Sequence, residues 1–156
     1  MPPLVSCLCV TERRAAFMPW LLWGFERQTY EHRELVIVDS SPEPLSISRA
    51  NVRVLAAPPG SNVPTKRNLA LDAARGDYIA WFDDDDWQHP ERLERLVESL
   101  REDHVIVGSS RSWFVDSGDP WHASLRRTWL PHLQHGPVSH GRGPQCALRR
   151  TLPPRQ

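Results

Sequence analysis

Apolar runs of strand length alternate with helical spacing over the first two thirds of the chain. Residues 4–10, LVSCLCV, form a continuous apolar run, as expected of a strand covered on both faces. Phe17, Leu21, Leu22 and Phe25 then recur near helical spacing over 16–28, closed by Gln28-Thr29-Tyr30. ELVIVDSS places a second buried strand at 34–38 that ends in Asp39-Ser40-Ser41, and a Pro-bearing turn leads to a third at 52–56, VRVLA. The loop PPGSNVP opens a helix over 65–75, with Gly76 placed as its C-terminal stop. DYIAWF, 77–82, reads as a fourth strand. Pro90 suits the first turn of a helix over 90–101, with Glu91 and Glu94 at its positive end and Leu93, Leu96, Val97 and Leu100 on one face. Two more strands are expected at 104–109 and 112–116.

Strands alternating with helices predict an α/β fold, a mostly parallel sheet flanked by helices. After Asp116 the chain turns rich in Pro, Gly, His and Arg and loses its period, so the expected division is a core at 1–116 and an irregular segment at 117–156.

In open sheets of this kind ligands gather beyond the carboxyl ends of the strands. Three polar clusters fall at such ends: Thr11-Glu12-Arg13, Asp39-Ser40-Ser41, and Asp83 to Asp86. The last, in YIAWFDDDDW, sets four like charges against an apolar strand, where neighbouring carboxylates repel and an unpaired buried charge is expensive. Aspartates one residue apart can offer oxygens to a hard divalent cation, Mg²⁺ or Mn²⁺, of the kind shared with a substrate diphosphate. Such an ion would reverse the local charge balance. The plain alternative is a solvated acidic turn before a helix, although Phe82 and Trp87 bracket the acids and are expected to anchor the loop. Asp39 is placed to bond a ribose or base, or else to form a turn with the serines that follow it. Lys66 and Arg67 open a helix, where cations and exposed N–H groups suit a phosphate, against the local preference of the dipole.

A chain of 156 residues reads as one domain. Nineteen basic and nineteen acidic residues leave no net charge, which argues against non-specific binding to nucleic acid or anionic membrane. Apolar runs fall short of the roughly 20 residues of a membrane span, so no transmembrane segment is expected, nor is a signal-peptide pattern found at the start. Three cysteines without a dense framework point to free thiols and a cytoplasmic location. Cys7 and Cys9 share a strand face and read as small hydrophobes, a two-cysteine metal site being the alternative. His132, His135, His140 and Cys146 can be drawn as a zinc site, but their spacing matches no strong pattern. VTERRAA after the first strand has no glycine, unlike the phosphate loop of a nucleotidyltransferase, and no aspartate precedes Asp39, unlike a strand-aspartate phosphatase.

Taken in order, LVSCLCVTERR, RQTYEHRELVIVDSS, KRNLALDAARGDYIAWFDDDDW and HPERLERL resemble the motif series of the family 2 glycosyltransferases, which adopt the GT-A nucleotide-sugar-binding fold. The likeness covers the chain to about residue 110. It implies a donor that is a UDP- or GDP-linked sugar and a Mn²⁺ or Mg²⁺ cofactor. Transfer would go to an acceptor hydroxyl with inversion, the acceptor being unknown. Thr11 and Glu12 would border the base pocket, Asp39 would bind base or ribose, and Arg67 would approach the diphosphate. Asp83 and Asp85 match the D-x-D pair, with Asp85 the direct metal ligand, Asp84 at the variable position beside the donor, and Asp86 a further acid of the metal site. Val10, Glu12-Arg13 and Ser40 depart from the common pattern. The late carboxylate that activates the acceptor in inverting members has no match, since no aspartate or glutamate follows Asp119 and Asp116 and Asp119 come too early. That departure implies a donor-binding module or truncated member as the alternative to an active transferase.

Overall fold

The computed structural model describes residues 1–100, 106–108, 111–116, 119–127 and 146–149. Its elements are β1 (Val5–Thr11), α1 (Met18–Glu26), β2 (Arg33–Asp39), β3 (Val52–Ala56), α2 (Val63–Ala73), β4 (Tyr78–Trp81), α3 (Arg92–Ser99), β5 (Ile106–Gly108), β6 (Arg111–Asp116), β7 (Asp119–Arg127) and β8 (Cys146–Arg149). The main sheet runs in the order β3-β2-β1-β4-β8-β5, and β6 pairs with β7 apart from it. β3, β2, β1 and β4 are mutually parallel, and β8 lies antiparallel between β4 and β5. The expected mostly parallel α/β sheet is therefore present.

Both central strands are covered on both faces, which is why they read as unbroken apolar runs. Cys7, Cys9, Leu35 and Ile37 meet Met18, Leu21 and Phe25 of α1 and Leu93 of α3 on one side. Leu8, Val36, Val38 and Ile79 meet Ala70 and Ala74, at the α2 end of the other side. Burial pushes the Cys7 thiol up to about 12 and holds Cys9, beside Asp84 and Asp83, well above its usual value. Both stay protonated, as small core hydrophobes, and neither suits a metal as thiolate. His132, His135 and His140 lie outside the described residues, and Cys146 is described only by its place in β8. Among the described residues no helix is long and apolar enough to cross a membrane.

Several boundaries differ from the sequence expectation for identifiable reasons. Residues 15–17 form a separate 3₁₀ turn, so Met18 rather than Phe17 opens the buried stripe of α1 and Phe17 stays exposed. α2 ends at Ala73, with Ala74 already extended, so Gly76 does not serve as a left-handed helix stop. Pro90 precedes α3, and its carbonyl accepts from Thr29 N at 2.9 Å. Within 117–156, expected to be irregular, β7 and β8 are regular strands. Four residues of β8 carry no readable period; its backbone groups are ordered by two neighbouring strands.

A buried polar network joins the far end of β1 to the α2–β4 turn. The Ser6 hydroxyl donates to Glu34 Oε1 at 2.6 Å and accepts from Gly76 N at 2.8 Å. Glu34 also takes Arg75 N at 2.8 Å and Arg53 at 3.0 Å. Burial alone would raise the Glu34 carboxyl, but these donors outweigh it and hold it below its usual value. The stability it contributes is present above the ordinary carboxylate range and is lost as pH falls through its depressed pKa.

Candidate functional site

Register sets the rim. Thr11 stands opposite Asp39 at the ends of β1 and β2, and Trp81 of β4 stands opposite Leu8. The pairing continues one residue further, with Phe82 N donating to Leu8 O at 2.8 Å, so the chain leaves β4 alongside the end of β1. Asp84 then comes beside Thr11, whose hydroxyl donates to Asp84 Oδ2 at 2.7 Å. All three polar clusters foreseen in the sequence do meet at this edge.

Past β1 the backbone turns through Arg13 at φ 53°, the one non-glycine residue with positive φ among those described. An L-residue held there loses about 1–2 kcal/mol, and such strain gathers at functional sites. The turn is tied across the rim: Arg13 N donates to Ser41 Oγ at 2.6 Å, and that hydroxyl donates to Asp39 Oδ1 at 2.6 Å. Asp39 is buried, and its carboxylate also accepts from Ser41 N at 2.9 Å and Leu45 N at 3.0 Å. These are the contacts of a turn-forming aspartate, and they shape the wall of the rim.

Lys66 is not a solvated first-turn cation. It is 4 % exposed, and its ammonium reaches inward to Thr11 O at 3.2 Å, Ser40 Oγ at 3.1 Å and Glu12 Oε2 at 3.7 Å. An ammonium has three donors, so Lys66 is committed to joining the ends of β1 and β2. Its neighbour Arg67 is exposed, stacks 4.8 Å over the Trp81 ring, and lies near enough to oppose the charge of Asp83. Of the two basic residues, Arg67 is the one free to meet an anion.

The four aspartates are not equivalent. Asp84 is buried, with one oxygen on Thr11 and the other 3.2 Å from Arg14. It ties the acid turn to β1, a fuller role than the variable position between two ligands implied. The Asp85 side chain is 52 % exposed and lies 2.9 Å from Arg14. Asp86 N donates to Asp83 O at 3.3 Å, closing the turn, and Asp86 O accepts from Trp20 Nε1 at 3.2 Å. Phe82 is fully buried and anchors the loop as expected, whereas Trp87 is exposed, so the second anchor is not the bracketing tryptophan. Gln28 supplies it, because its amide donates to His89 O at 2.9 Å and accepts from Leu93 N at 3.1 Å at the start of α3. Arg92 assists by bonding Gln88 at 2.7 Å and Trp81 O at 3.0 Å.

Burial raises Asp83, with Asp86 adding and Arg67 opposing. Burial also raises Asp84, with Thr11 and Arg14 opposing. A carboxyl raised in the folded state takes its proton there first, so lowering the pH adds stability from it until the unfolded chain also protonates near about pH 4. Asp83→Asn is accordingly expected to raise the thermal midpoint of the metal-free protein at neutral pH, by a margin that shrinks on acidification. Thermal denaturation in EDTA across that range checks it, and a lowered midpoint at neutral pH would contradict it.

Hard carboxylate oxygens at Asp85, Asp83 and Asp86 suit Mg²⁺ or Mn²⁺. Among the described residues no three His, Cys, Asp or Glu side chains converge as a ready cage. Sequence reasoning missed Arg14 and Gln28. Gln28 had left a trace, a polar residue closing an apolar helix, while nothing in VTERR shows which arginine turns toward the acids.

A family model described as "Glycosyl transferase family 2" matches residues 8–151. Among curated relatives, an uncharacterized glycosyltransferase of Haemophilus influenzae is 24% identical over 122 residues, 73% of this chain and 49% of the relative. The putative glycosyltransferase EpsH of Bacillus subtilis is 24% identical over 135 residues, 81% of this chain and 39% of the relative. The chain thus spans about half the length, or less, of these relatives. Among solved structures, the mannosyltransferase PcManGT from Pyrobaculum calidifontis, in complex with GDP-Man and Mn²⁺, aligns with a TM-score of 0.57 at 20% identity, covering 69% of this chain and 35% of that one. S. aureus TarS 1-349 aligns at 0.51 with 22% identity, over 59% of this chain and 30% of that one. At these identities the likeness speaks for the fold.

Proposed function

Because the chain belongs to glycosyl transferase family 2 and shares the GT-A fold of its structural relatives, we propose that its rim binds a nucleotide-diphosphate sugar through a divalent cation, for transfer of the sugar to an acceptor hydroxyl with inversion. The observation that carries this reading is the exposed Asp85 carboxylate on an anchored turn, set beside Asp83 and the cation of Arg67 at the carboxyl edge of the sheet. Asp85, with Asp83 and Asp86, would hold Mn²⁺ or Mg²⁺. Such an ion, when bound, supplies a Lewis acid for the departing diphosphate.

The chain's own residues do the rest. Arg67 meets phosphate oxygens with a planar guanidinium already held by Trp81. Thr11, Glu12 and the Asp39 turn wall the side where base and ribose would lie, with Lys66 keeping the two strand ends together from below. UDP and GDP are the nucleotides to test first, since one neighbour was solved with GDP-Man and another, S. aureus TarS 1-349, with UDP-GlcNAc. Buried thiols at Cys7 and Cys9 fit a cytoplasmic setting.

Inversion by in-line attack needs a base within hydrogen-bond reach of the acceptor oxygen. Residues 120–156 hold no aspartate or glutamate, which favours a second reading, donor binding without transfer by this stretch of chain. Calorimetric titration of UDP and GDP with and without Mn²⁺, beside a donor-hydrolysis assay, decides between them. Metal-dependent binding with turnover is the expected result for a transferase, and binding without turnover for the second reading. No binding of either nucleotide overturns both.

A further inference from the structure

Four adjacent carboxylates need positive charge even when no metal is present, and the chain brings its own. The Arg14 guanidinium lies 3.2 Å from Asp84 Oδ1 and 2.9 Å from Asp85 Oδ2, and its carbon sits 4.4 Å over the Phe17 ring. Its position is built rather than casual. The positive-φ turn at Arg13 directs it, the Phe17 face supports it, and the buried Asp84, held from the other side by Thr11, fixes one end of the pair. Among the described residues the buried Arg14 Nε meets no acceptor.

We propose that Arg14 is a resident counter-cation of the acid turn, occupying Asp85 while no metal is bound, yielding it when the divalent ion enters with the donor, and then serving the diphosphate. The proposal rests on the reading of Asp85 as a metal ligand. The exchange follows from charge. A guanidinium and a divalent ion on one carboxylate repel each other, and only Asp85 of the two partners is exposed enough to change hands. Arg14 stays paired with Asp84 throughout, so it does not leave the site. Its planar fork suits phosphate as well as it suits carboxylate.

The test separates this role from mere support of the fold. In Arg14→Gln, apparent Mn²⁺ affinity without nucleotide, read by electron paramagnetic resonance of the free ion, is expected to rise about fivefold, the worth of losing one exposed ion-pair competitor. UDP or GDP affinity in saturating Mn²⁺ is expected to fall by tenfold or more, for want of a charge-assisted bond. Arg14→Lys keeps the charge without the fork and should fall between the two on both measures. A merely structural arginine would weaken both affinities together, and that result, or an unchanged Mn²⁺ affinity, overturns the proposal. If the unsubstituted protein binds no Mn²⁺ at all, the metal reading fails. The counter-cation itself is then read from denaturation in EDTA. There Arg14→Gln and Asp85→Asn should be non-additive, their effects on the unfolding constant coupled about twofold to fivefold, and strict additivity would sink it.

Discussion

Asp85→Asn is expected to lower the affinity for a nucleotide diphosphate in Mn²⁺ by about 100-fold or more, and transfer with it, while leaving metal-free stability within about 1 kcal/mol. Its side chain is half exposed, and the ion pair it makes with Arg14 is of the surface kind that contributes little to folding. The amide is isosteric but loses the charge for which a hard cation selects. Asp84→Asn should do the reverse. That carboxylate is buried between the Thr11 hydroxyl and Arg14, both donors, so an amide must turn an N–H toward one of them. The expected loss is about 1–3 kcal/mol of stability for an unmatched buried donor. Calorimetry for binding and urea denaturation in EDTA for stability check the pair. If Asp84→Asn removed binding with full stability while Asp85→Asn kept it, the assignment of the acids would be reversed.

How far this division could be read in advance depended on which physical rule governed each residue. The strands were legible because β1 and β2 are covered on both faces, so their apolar runs had only one comfortable placement, and β3 fell at 52–56 as expected. The rim was legible because parallel strands deliver their carboxyl ends to one edge. Side-chain direction was harder, since a polar residue at an element's end can face either way. For Lys66 the chain did hold the answer: Ala70 follows four residues later on the buried face of α2, which places Lys66 on that face too. Asp39 was open between two roles; Ser41 beside it makes the turn contacts, and the role toward a base or ribose is part of the proposal. Arg14 had no such signal, because its direction comes from a single left-handed residue that sequence spacing does not encode. β8 was hidden for another reason: four residues in a Pro- and Gly-rich stretch take their order from partners distant in the sequence.

Gly76→Ala is expected to cost more than about 3 kcal/mol of stability and to weaken donor binding with it, although the substitution lies at the opposite end of β4 from the acids. A Cβ there would stand 2.6 Å from Ser6 N, 2.7 Å from Leu4 O and 2.8 Å from Ser6 Oγ. Two of these atoms are backbone of β1 and its approach, so no side chain can swing aside to make room. Relief requires the α2–β4 turn to withdraw. That strains the bond from Gly76 N to Ser6, the bond from Tyr78 N to Leu4 O at 3.1 Å, and that from Leu4 N to Asp77 Oδ2 at 2.9 Å. These set the register of β4 on β1, and a slip of one residue would reverse the faces of the strand and carry the acid turn away from Thr11. Gly60 is the matched control. It has φ 76° but, among the described residues, nothing within 4 Å of a Cβ, so Gly60→Ala is expected to meet only backbone strain, about 1 kcal/mol. Urea midpoints for both variants, with nucleotide affinity measured on the folded fraction, test the link between register and site. If Gly76→Ala were no more destabilising than Gly60→Ala, β4 would not be held to β1 by this close approach, and the placement of the acids would need another cause.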